Sequence, residues 1–126
     1  EPAQAAALEA GRPNPQILST RWSVFAGSEE DAWRALYPWR GLRAPGRLEA
    51  VDPTELREKA DLLPRSEVLG PYTIVADVDD IGAAYRPLVE DLAADIVTLQ
   101  LTSLDQLELI EMLGREVLPR LRELSG

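Results

Sequence analysis

The chain has no cysteine and no histidine. The first absence removes disulfides, thiolate nucleophiles and cysteine metal sites; the second removes histidine acid–base catalysis and the usual zinc chemistry, so no metal site is expected here. Positive charge is scarce as well, with 13 Lys and Arg against 22 Asp and Glu and a net charge of −9 at pH 7. A nucleic-acid backbone or an anionic membrane surface is recognised by a positive field, so no nucleic acid and no membrane is expected among the partners. No apolar run approaches the roughly 20 residues of a membrane-spanning helix, and no basic segment followed by an apolar one opens the chain; a cytoplasmic location is expected.

What is present suffices for a core: 45% of the 126 residues are hydrophobic, as in a soluble globular chain of one domain or part of one. The opening "EPAQAAALEAGRPNPQ" reads as the tail of a helix ended by Gly11, Pro13 and Pro15. It has no initiator methionine, which fits either trimming or the C-terminal part of something longer.

"QILSTRWSVFA", residues 16–26, alternates β-branched and aromatic types and reads as a strand with something packed on each side. Ser28 then stands as N-cap for a helix that Pro38 ends early. Asp52 and Pro53 open another helix, "PRSEVLG" is a short helical turn and "PYTIVA" a short extended piece. A long amphipathic helix carries Ile81, Ala84, Tyr85, Leu88, Val89 and Leu92 on one stripe, with a bend expected at Pro87. "DIVTLQLT" is a second strand, and residues 104–124 repeat leucine-type residues at helical spacing as one closing helix. Two strands separated by helices pair in parallel through a crossover, which is α/β logic. A parallel sheet buried on both faces needs more than two strands, so further strands are expected from elsewhere.

Two features invite chemistry. The loop "RGLRAPGRLEA" gathers Arg40, Arg43 and Arg47, and a guanidinium offers a bidentate fork to carboxylate or phosphate, which makes these three candidate substrate-binding residues; the alternative is a solvated loop that offsets nearby acids. "LTSLDQLELIEML" looks like a phosphopantetheine-attachment segment around Ser103, but Thr102 stands where an acid is wanted and only one helix follows. Ser103 with Gln106 three residues on is instead a capping box.

"VDPTELREKADLLP" and "DQLELIEMLGREVLPRLREL", with a strand before them and an "IVADVDD" entry to a long helix between, resemble the C-terminal part of the luciferase-like monooxygenase superfamily. Within it the likeness is to the coenzyme F-420-dependent (deazaflavin) oxidoreductases of the glucose-6-phosphate dehydrogenase branch, over residues 14–124. Members are (β/α)8 TIM barrels of about 250 residues or more. The resemblance therefore implies that residues 1–126 are the C-terminal part of one such domain, holding strands 7 and 8 with their helices. It also implies that the absent N-terminal part carries the catalytic residues and most contacts to the deazaflavin, so that none of the catalytic residues lies in this chain. The partners it implies are that N-terminal part, a small-molecule substrate and a second copy in a homodimer.

By the same resemblance Arg47 matches a lysine that holds a substrate phosphate, and Tyr72 stands where its partner arginine would be, with Arg40 or Arg43 as substitutes. Gln100 and Thr102, near the C-terminal end of the last strand, are expected to point into the barrel mouth and hydrogen-bond a polar substrate. The implied reaction moves a hydride between an alcohol or carbonyl carbon and the deazaflavin. An FMN-dependent monooxygenase of the same superfamily and a non-enzymatic half-barrel interaction module are the alternatives.

Overall fold

Parallel pairing organises the chain. The computed structural model of the protein describes residues 2–92 and 94–124, and its strands are β1 (Leu18–Phe25), β2 (Thr73–Val75) and β3 (Ile96–Thr102). They form one sheet in the order β2-β1-β3, every pairing parallel. β1 and β3 run side by side from Leu18↔Ile96 to Val24↔Thr102, whereas β2 covers only Ser23, Val24 and Phe25. The start of the long pairing is fixed by Asp95, whose carboxylate accepts from the Ile17 amide at 2.7 Å. The third strand is an addition to the two read from the sequence, where residues 71–76 are a short extended piece.

The helices are α1 (Pro2–Glu9), α2 (Glu29–Leu36), α3 (Pro53–Asp61), α4 (Arg65–Leu69), α5 (Val78–Glu90), α6 (Gln106–Met112) and α7 (Leu118–Leu124). Their starts follow local chemistry. Ser28 accepts from the Asp31 amide, Asp52 from Thr54 and Asp77 from Asp80, each relieving an orphan donor of a first turn. Asp80 returns the contact by accepting from the Ala76 amide at 2.9 Å. Pro87 lies inside α5, where it gives up one backbone donor.

The sheet has two unlike faces. Val97, Leu99, Leu101 and Phe25 pack against Ile81, Ala84, Tyr85 and Leu88 of α5 and against Val117 and Leu121 at the C-terminus. Ile81 and Val117, fully buried there, are each worth about 1.5–3 kcal/mol against exposure. The other face is covered only at its C-terminal end, where Val24 packs on Ala32, Ala35 and Leu36 of α2 and on Val68 and Leu69 of α4. Below that cap Leu18, Thr20, Ile96, Thr98 and Gln100 are all exposed. Among the described residues the β1 edge from Leu18 to Trp22 opposite β3 has no strand partner, and neither has the outer edge of β3.

Three expectations are corrected. Residues 40–50 are not simply a loop: α2 passes directly into a 3-10 helix, Tyr37–Arg43, because a proline at position 38 is tolerated in the first turn of a new helix though not in the interior of an old one. The closing helix is not continuous; a π turn at Leu113–Val117 divides α6 from α7, and the buried residues are Leu109 together with Val117 and Leu121, the last two as the spacing predicts. Leu104, Leu107 and Ile110, expected to be buried, are exposed. The cap of α6 is Asp105, whose carboxylate accepts from the Glu108 amide at 3.0 Å, so Ser103 and Gln106 do not form the capping box. The helix starts too late for Ser103 to reach its third residue. Its hydroxyl donates to the Asp105 carbonyl instead, at 2.6 Å.

Candidate functional site

The cap over the C-terminal end of the open face leaves a cleft of about 420 Å³. Its apolar walls are Leu36 at the end of α2, Trp39 and Leu42 on the 3-10 helix, and Tyr72 just ahead of β2. Gln100, Thr102 and Gln106 supply the polar side, with Ser23 and Leu101 completing the lining. β3 places Gln100 and Thr102 two residues apart on one face, as strand alternation requires.

Hydrogen bonding gives these groups different capacities. Gln106 Nε2 donates to Thr102 Oγ1 at 2.8 Å and to the Ser103 carbonyl at 3.3 Å. Because Thr102 Oγ1 accepts there, its own proton remains free to be donated. The side-chain amide of Gln100 is exposed and has no hydrogen-bond partner among the described residues, so it can both donate and accept. Burial pushes the Tyr72 hydroxyl above its ordinary range, with Arg43 pulling the other way, and the phenol remains a proton donor at neutral pH. The lining can therefore hold and orient a hydroxyl or carbonyl group, but it offers no base at neutral pH.

Gln100 and Thr102 are thus brought together as the sequence predicts, while the three arginines are not. Arg40 is 8% exposed: its Nε donates to Asp61 at 2.7 Å, its Nη1 to the Tyr37 carbonyl at 2.8 Å, and its guanidinium carbon lies 3.8 Å from the Tyr37 ring centre. That group joins the 3-10 helix to α3, so the solvated-loop alternative does not hold for Arg40, and its guanidinium is engaged within the chain. Arg43 lies over Trp22, 5.9 Å from the ring centre, beside the Trp22–Tyr72 pair whose centroids are 5.5 Å apart. Arg47 is exposed in the turn that follows, away from the cleft lining. Gln106 in the lining is not read from the sequence; Tyr72 is placed at a substrate only by the resemblance, where it stands in the position of a phosphate-holding arginine.

A second cleft, of about 380 Å³, lies where the strands end and is lined by Phe25, Asp31, Ser103, Asp105, Glu108 and Arg115 among others. Ser103 thus sits beside a depression other than the one that holds Gln100 and Thr102. Among the described residues no group of three or more acidic, histidine or cysteine side chains is placed to hold a metal ion, and no helix is long and apolar enough to cross a membrane.

No protein-family model matches the chain. Among curated proteins it is similar to the F420-dependent glucose-6-phosphate dehydrogenase of Segniliparus rotundus, at 28% identity over 101 residues, which are 76% of this chain but only 30% of that protein. The α/β order and the three-stranded parallel sheet are compatible with part of a TIM barrel.

Proposed function

We propose that the chain is the C-terminal portion of a (β/α)8 barrel, with β1 and β3 as its seventh and eighth strands, in a coenzyme F-420-dependent oxidoreductase. The reaction moves a hydride between a polar alcohol or carbonyl carbon and the deazaflavin. The observation that carries this is the sheet. Two long parallel strands are joined by a crossover, one face is packed by α5 and the C-terminal helices, and the other is bare below the cap. Strands of a closed barrel look like this when their neighbours are taken away, since closure covers every edge and fills the interior. β2 covers only the last residues of β1, leaving Leu18–Trp22 for a sixth strand, while the outer edge of β3 is left for the first. The name of the similar protein supplies the cofactor class.

The residues here do not fit the cofactor by themselves. The cleft at the end of the open face has no cation in its lining to meet the phosphate of a deazaflavin tail, so the cofactor would be bound mainly by the rest of the barrel. This chain's share is to wall the substrate pocket with Trp39 and Tyr72 and to orient the reacting oxygen with Gln100 and Thr102. A fluorescence titration tests the division of roles. The isolated chain is expected to leave F-420 unbound, and the complete barrel to bind it and bleach it with an alcohol substrate. Tight F-420 binding by the isolated chain, or exclusive loading of the complete barrel with FMN, would overturn the proposal.

A further inference from the structure

Resting on that reading of the cleft, we infer that its substrate is an uncharged ring-bearing alcohol or ketone and not a phosphorylated sugar. The cleft contains three polar side chains able to meet an uncharged oxygen, namely Gln100, Thr102 and Gln106, and no lysine or arginine in its lining. A phosphate dianion taken out of water needs charged donors, and bidentate arginine is the residue that supplies them best. The arginines nearby are otherwise disposed. Arg40 is buried and spent on Asp61 and the Tyr37 carbonyl. Arg43 lies over Trp22 and beside Tyr72, outside the lining, and Arg47 stands in the exposed turn beyond.

What lines the cleft in their place is apolar and aromatic. Trp39, 54% exposed although large and apolar, and Tyr72 present ring surface, with Leu36 and Leu42 alongside. A six-membered ring laid on that wall would cover apolar surface that is now wet and hold its hydroxyl or carbonyl within reach of the free Gln100 amide and the Thr102 proton. The inference is about discrimination: the cleft welcomes the ring and rejects the dianion, because no buried cation would compensate it.

The test uses the complete barrel with F-420, cyclohexanol as the neutral probe, and glucose 6-phosphate and inorganic phosphate as charged ones. Cyclohexanol is expected to bind with a blue shift of tryptophan emission that excess inorganic phosphate does not reverse. Trp39→Ala is expected to weaken it about tenfold, Trp39→Phe to restore most of the loss, and Arg47→Ala to change nothing. Tyr72→Arg should make phosphate a competitor. Phosphate competition in the unaltered protein, preferential use of glucose 6-phosphate, or a Trp39→Ala variant of native circular dichroism that binds cyclohexanol unchanged would overturn the inference. F-420 that no alcohol bleaches while cyclohexanol still binds would remove the oxidoreductase reading and leave the specificity standing.

Discussion

Asp105 and Ser103 show how narrow a margin separates two readings of one turn. Both are cap-forming types, and Ser103 has a glutamine at the right spacing, yet Asp105 holds the Glu108 amide. Asp105→Ala is expected to cost about 1 kcal/mol in a urea melt and Ser103→Ala less than half of that. Tyr85 makes the second prediction at this scale. Fully buried, its hydroxyl donates to the Arg21 carbonyl at 2.7 Å and lies 3.3 Å from Ser23 Oγ. Burial raises its pKa above 10.0, outweighing the Ser23 hydrogen bond, and Tyr72 is raised for the same leading reason. The folded state then keeps protons that the unfolded chain releases, so this contribution is whole below pH 10.0 and is lost as pH climbs through the folded values. Urea midpoints are expected to fall between about pH 8 and about pH 11, and to fall less in Tyr85→Phe, which is less stable at the outset by about 1–2 kcal/mol.

At the scale of elements, strand alternation was legible and helix continuity was not. Residues 16–26 and 95–102 announce themselves by period two, and β1 and β3 fall inside those spans. A π turn carries no such signature. Ahead of it Leu109 is buried while Leu107 and Ile110 are exposed, and Val117 and Leu121 are buried as their spacing predicts; the spacing of leucines reads equally well as an unbroken helix. The same limit hid the role of Arg40. Nothing local distinguishes an arginine that will be buried against Asp61, 21 residues on, from one in a wet loop. Asp61→Asn weakens the pairing of a guanidinium that is only 9% exposed, although the carboxylate itself is half exposed and partly screened. A loss of about 2 kcal/mol in chemical denaturation is expected, below the 3–5 kcal/mol of a wholly buried pair.

For the whole molecule, the pattern of strands separated by helices pointed to a parallel α/β sheet, which is what forms, with a third strand from the chain itself and one bare face among the described residues. The cleft was half legible: Gln100 and Thr102 come from β3 alternation, Tyr72 is placed by the resemblance, and Trp39 beside the arginines reads either as a pocket wall or as interface packing, whereas Gln106 and the convergence of these separate segments are not encoded by spacing along the chain. Leu104, Leu107 and Ile110 add a stripe of exposed apolar surface. Leu107→Lys combined with Ile110→Lys should leave the chain's own melting within about 0.5 kcal/mol, because neither side chain is covered. In the proposed barrel the same pair is expected to weaken the joining of this chain to the remaining strands, measured by co-sedimentation.

The strand order has a consequence in time. β1 is central in the sheet but first in the chain, and both of its neighbours are made later: β2 at Thr73 and β3 only from Ile96. As the chain emerges from synthesis, the edge of β1 that β3 will occupy stays open until residues 96–102 have been made. Pairings of such long sequence separation close slowly and leave strand edges available to the wrong partner meanwhile. That edge is therefore most open to mispairing in the interval before residue 96 has appeared.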